Sequence, residues 1–196
     1  LNGTSSNDQI ISGNGNDTIN GQAGNDNITL GSGTDTIVFN GLTSPLNGSD
    51  TIATFQSADK YDFSSCFSNG SIKNLSNNEI TLATQEQLAN HETTINLQNG
   101  HVYIAEVNTK AQIDTASEIA NALADTNGLL DAIDIASGSN AILVLGGADD
   151  DRTQFIYGIA NDQTSNVTSS EINLMGTVST DIANGIQGLA LDNFIF

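Results

Sequence analysis

Basic side chains are nearly missing from this chain. Four Lys and Arg stand against 23 Asp and Glu in 196 residues, a formal net charge of −19. So acidic a surface argues against binding nucleic acid or anionic lipid and favours cations. The single cysteine, Cys66, excludes an internal disulfide framework and reads as a packed thiol. Tryptophan is absent and aromatics make up 5 % of the chain, which leaves few platforms for stacking sugars. No apolar run approaches the roughly 20 residues that a membrane-spanning helix needs. Enzyme signatures are missing too: there is no G-x-S-x-G elbow, no H-E-x-x-H zinc site and no P-loop. His91 and His101 are the only imidazoles and read as surface or strand residues, and nothing local supports a dyad of either with Cys66. The expectation is a protein that is not an enzyme.

What the chain does have is a period. From Gly3 to Val38 four nonapeptides follow one another without a gap, GTSSNDQII, SGNGNDTIN, GQAGNDNIT and LGSGTDTIV. They set Asp8, Asp17, Asp26 and Asp35 in one register and Ile10, Ile19, Ile28 and Ile37 in another. The first six positions of each copy carry Gly, Asn, Ser and Asp, which supply positive φ and local hydrogen bonds and so form a turn. The last three carry a β-branched Ile between polar or β-branched neighbours, a very short strand with one residue inward. Such copies cannot bury an apolar face singly and must stack.

Stacked turns lie about 4.8 Å apart, so facing carboxylates repel by about 3 kcal/mol per pair at an effective dielectric near 20. A divalent cation reverses that sign. Ca²⁺ suits the turns because it accepts carboxylate and carbonyl oxygens in flexible geometry.

At these residues the chain resembles the RTX (repeats-in-toxin, hemolysin-type) family, whose nonapeptide is G-G-x-G-x-D-x-U-x. Ser12 to Asn20 matches at every diagnostic position but the first, while Gln22 and Leu30 replace glycines in the third and fourth copies. Copy one departs most, with Thr4 and Ser6 at glycine positions. The resemblance implies a parallel β-roll with about two repeats per coil. Asp8 would then pair with Asp26 and Asp17 with Asp35 around Ca²⁺. Gly13, Gly15, Gly24, Gly31 and Gly33 would shape the same turns.

After Val38 the period breaks, and Pro45 rules out a continuing central strand. Asn47 to Ile52 reads as a fifth, displaced turn in which Asp50 is a further candidate ligand. The segment to Ser65 resembles the one that closes RTX rolls, with Phe55, Tyr61 and Phe63 large enough to cap a thin core. Asp59 and Asp62 are either ligands at that cap or ordinary turn and surface residues.

The remaining chain reads as a mixed, mostly antiparallel β module with one helix, giving two units, 1–65 and 66–196. Glu79 to Ala83 and Thr93 to Leu97 have strand character, and Asn99-Gly100 suggests a hairpin into the half-buried strand His101 to Val107. Asp114 to Ala124 is the convincing helix, with Thr115 or Ser117 as cap and Ile119, Ala122 and Leu123 as apolar stripe. Leu129 to Ile135 reads as a second helical turn. Ala141 to Leu145 and Gln154 to Ile159 read as partner strands joined by a turn whose Asp149, Asp150 and Asp151 form either a solvated tip or a cation trap. Glu171 to Val178 is a further strand.

The end of the chain, Leu189 to Phe196, resembles the uncleaved export signal read by type I secretion machinery. Its alternative is a final strand tucked into the second module. With Leu1 already at the repeats, the chain reads as the carboxy-terminal piece of a longer secreted or cell-surface protein of S-layer, matrix, adhesin or exoenzyme type. Its expected partners are calcium ions, the secretion machinery, and cell-surface polysaccharide or further copies in self-assembly. A carbohydrate-binding role would rest on Tyr61, Tyr103 and Tyr157 as stacking residues.

Overall fold

A computed structural model of the chain describes residues 1–67, 80–83, 95–97, 101–107, 113–124, 133–135, 139–147, 150–160, 167–183 and 185–195. Each nonapeptide ends in the expected short strand: β1 (Gln9–Ile11), β2 (Thr18–Ile19), β3 (Asn27–Thr29) and β4 (Thr36–Val38). Alternate copies stack in parallel, β1 on β3 with Ile10 opposite Ile28, and β2 on β4 with Ile19 opposite Ile37. Two repeats therefore make one coil, with the isoleucines turned inward; Ile19 and Ile28 are fully buried.

A third coil follows the repeats. β5 (Asp50–Phe55) stacks on β3 with Ile52 opposite Ile28, and β6 (Lys60–Asp62) stacks on β4 with Tyr61 opposite Ile37. Between β4 and β5 the chain makes one helical turn, α1 (Ser44–Asn47). Pro45 costs it no hydrogen bond, since amides in a first helical turn have no intrahelical acceptor.

The remaining elements are β7 (Ile80–Ala83), β8 (Ile95–Leu97), β9 (His101–Val107), α2 (Ala116–Ala124), β10 (Ile133–Ile135), β11 (Asn140–Gly147), β12 (Asp150–Ala160), β13 (Ile172–Thr180) and β14 (Phe194–Ile195). Short 3₁₀ turns at Gly185–Gly188 and Leu191–Asn193 precede β14. The fold is mainly β, with a parallel β-roll at the amino terminus and a mixed sheet beyond it. β5 pairs with β3 on one edge and, in parallel, with β13 on the other. One eight-stranded sheet thus runs β1-β3-β5-β13-β12-β11-β9-β7, faced by a four-stranded sheet β14-β6-β4-β2. Antiparallel pairing in the large sheet is confined to β11–β12 and β12–β13.

The strands divide their side chains between two cores. Val102, Ile104, Ile142, Val144, Ile156, Met175 and Val178 join the roll's isoleucines and the aromatic cluster. Tyr103, Leu143, Leu145, Phe155, Tyr157 and Ile159 face α2, whose Ile119 is fully buried among them. α2 starts with a reciprocal cap: Glu118 N donates to Thr115 Oγ1, and Thr115 N donates to Glu118 Oε2 at 3.0 Å. Thr115, rather than Ser117, is the cap.

Four expectations are corrected. β8 and β9 form no hairpin: β9 lies between β7 and β11, parallel to both, and β8 pairs with β10. The reason is burial, since Val102, Tyr103 and Ile104 are enclosed on both faces, so β9 is an interior strand and not the half-buried one expected. Residues 133–135 extend as β10 instead of coiling, as the alternation Ile-Asp-Ile with its β-branched pair favours. Asp150 and Asp151 belong to β12 and not to a turn, since the ladder to β11 runs as far as Gly147 opposite Asp150. Asp149 and His91 lie outside the described residues.

Candidate metal centre

Stacking the coils aligns their turns along two edges, and the aspartates form a column on each. On one edge Asp8 N donates to Asp26 Oδ1 at 2.8 Å, and Asp26 N donates to Asp50 Oδ1 at 2.9 Å. On the other, Asp17 N donates to Asp35 Oδ1 and Asp35 N to Asp59 Oδ1, both at 2.9 Å. The sequence-predicted partners, Asp8 with Asp26 and Asp17 with Asp35, are therefore neighbours, and each column gains a third member. Asp50 is the expected one. Asp59 is legible in the sequence only as one of two alternatives, because α1 shifts the third coil out of the nine-residue phase.

Each amide satisfies one carboxylate oxygen and leaves the other. Asp17 Oδ2 and Asp26 Oδ2 are buried and accept no hydrogen bond. Asp26, Asp35, Asp50 and Asp59 are all nearly inaccessible. Burial pushes the Asp50 carboxyl up to about 7; the Asp26 amide works against this and the Asp26 charge adds to it. Burial likewise raises Asp26 and Asp59 above the usual carboxylate range. Asp59 and Asp35 have both oxygens engaged, Asp59 Oδ2 by Gln56 N at 2.7 Å and Asp35 Oδ2 by Ser12 Oγ at 3.4 Å.

The glycines shape the walls. Gly13, Gly15, Gly24 and Gly33 adopt φ of 88°, 116°, 112° and 135°, a region in which a side chain is strained. Gly31 has another role: a Cβ there would sit 1.4 Å from Gly13 O, so only glycine lets the next turn's carbonyl approach. Gly48 is under the same constraint, 1.6 Å from Gly24 O, and extends it into the third coil.

Among the described residues no three Asp, Glu, His or Cys side chains converge on one point. A cation held here draws on paired carboxylates and the glycine carbonyls beside them. That donor set is hard oxygen throughout, and with two orphaned buried carboxylate oxygens it fits Ca²⁺.

The other candidates fare differently. Tyr61, Tyr103 and Tyr157 are fully buried and offer no surface for a sugar, which removes the stacking residues of the carbohydrate reading. Tyr61 instead donates to Gln154 Oε1 at 2.8 Å and stacks on Phe55 at 4.3 Å. Cys66 is buried, its thiol donates to Phe39 O, and burial pushes it up to about 12, so it is a packed thiol. The last strand is tucked against the roll's β6 and not into the later strands: Phe194 opposite Tyr61 completes the aromatic cluster. No helix among the described residues is long and apolar enough to cross a membrane.

Residues 2–37 match the RTX calcium-binding nonapeptide repeat in four copies. They are a calcium-binding repeat of a kind typical of secreted proteins. No curated protein and no solved structure matches the chain.

Proposed function

We propose that the chain is a calcium-folded module of a bacterial secreted or cell-surface protein of S-layer, matrix or adhesin type. It leaves the cell unfolded through type I secretion machinery and acts outside as a structural module. Any catalysis belongs to other regions of such a protein. The observation that carries this reading is the pair of buried, donor-less oxygens, Asp17 Oδ2 and Asp26 Oδ2, in columns whose members repel one another. Ca²⁺, when bound, supplies the opposite charge that such columns lack.

In cytosol poor in calcium the columns disfavour the roll, so the chain stays extended for export. Outside, roughly 10⁻⁴–10⁻³ M affinity, the range of extracellular calcium modules, suffices to fold it. The carboxy-terminal segment serves twice, read as a signal while unfolded and paired with β6 once folded.

Far-ultraviolet circular dichroism and melting in excess chelator and in millimolar Ca²⁺ test the reading. The expected result is loss of β signal and of the cooperative melt in chelator. Superimposable spectra and melts would sink it.

A further inference from the structure

The three rungs of the Asp8–Asp26–Asp50 column are not equivalent. Around Asp8 the oxygens that face the neighbouring turn are already taken. Thr4 N and Thr4 Oγ1 donate to Asp8 Oδ2 at 2.6 and 2.8 Å, and Gln22 Nε2 donates to Gly3 O at 2.9 Å. Thr4 and Gln22 are the residues that stand at the second glycine of their repeats, and Gln22 holds a φ of 67° to make its contact.

One rung further on, no such donors are found among the described residues. Asp26 is 2 % exposed, and its Oδ2 has no partner. A Cβ on Gly21 would lie 2.2 Å from Asp26 Oδ2 and 3.3 Å from Asp50 Oδ2, so both oxygens face the space that this glycine leaves open. Asp50 and Gly48 lie beyond residues 2–37, in the coil displaced by α1.

We propose that Asp50, outside the repeats, completes a Ca²⁺ site with Asp26 beside Gly21, and that the rung of Asp8 takes no cation because Thr4 and Gln22 occupy its oxygens. On the opposite edge, Asp17 and Asp35 form the site of the ordinary repeat pairing. The two positions are staggered by half a coil, one per edge, so the roll is clamped from both sides near its middle. Its amino-terminal rung is closed by protein donors alone. This rests on the calcium reading above.

Calorimetric titration of the full chain with CaCl₂ tests it. Asp50→Asn should remove one equivalent of Ca²⁺, Asp8→Asn should leave the count unchanged, and Thr4→Gly with Gln22→Gly should add one. An unchanged count in Asp50→Asn, or a lost equivalent in Asp8→Asn, overturns the proposal. Should Asp50→Asn fail to fold, the other two variants decide: an unchanged and a raised count uphold the assignment, and a lowered or an unraised one refutes it. Asp17→Asn with Asp35→Asn separates the two readings. If it lowers the count while Asp50→Asn does not, this inference alone fails; if the native chain takes up no Ca²⁺, the calcium reading fails with it.

Discussion

A glycine such as Gly31 matters here for what it leaves out. Its neighbour across the coil, Gly13 O, occupies the place of a methyl group. Gly31→Ala must therefore force the stacked turns away from each other, at a cost of roughly 1–3 kcal/mol. Gly13→Ala meets no atom within 4 Å and is strained only by its φ of 88°, about 1–2 kcal/mol. Thermal melts in saturating Ca²⁺ should place Gly31→Ala below Gly13→Ala, and should show a weakened calcium midpoint for the former. The turn residues were legible from the nine-residue spacing. Gln22 was legible only as a departure; that its amide bonds to Gly3 O, 19 positions away, needed the stacked coil.

Among the elements, β14 has the most consequence for its length. Asn193 fixes it by donating to Ser57 O at 3.0 Å and Asp59 O at 2.7 Å and by accepting from Ala190 N. Phe63 N then donates to Ile195 O at 2.8 Å. Asn193→Ala leaves those carbonyls without their donor and should cost roughly 1–3 kcal/mol in urea denaturation. The Phe63 amide, read by hydrogen exchange, should lose protection more than the amides of β3. α2 could be read from its cap and apolar stripe because both are local. The expected β8–β9 hairpin fails because Asn99-Gly100 is a local signal too, overridden where both faces of β9 found buried partners. The third coil escaped the repeat pattern because α1 lengthens the separation from Asp35 to Asp59 to 24 residues, against 18 from Asp17 to Asp35.

For the molecule as a whole, charge decides the conditions of folding. With Asp50 raised to about 7 from an ordinary 3.8, the folded chain holds a proton that the unfolded chain releases. Between those values the unfolded state binds fewer protons, so cation-free stability falls as pH rises; it is greatest below about 4 and fully reduced above about 7. The raised carboxyls of Asp26 and Asp59 act in the same direction. In chelator the residual β signal in circular dichroism should therefore be stronger near pH 5 than near pH 8. In millimolar Ca²⁺ that order should vanish or reverse, because protons then compete with the cation for the same oxygens. A β signal in chelator that grows with pH would contradict the burial of these carboxylates.

The sequence by itself determined the coil: its period sets which residues turn, which point inward and which acidic groups stack, because these depend on neighbours a fixed, short distance apart. Only the tertiary structure decided that β5 shares its second edge with β13, that Tyr61 takes the place of an isoleucine and bonds to Gln154, and that the last strand closes on β6. Those choices join segments more than 90 residues apart in the case of Tyr61 and Gln154. They follow from which buried faces and open strand edges fit one another after the chain has collapsed, and no local spacing encodes that fit.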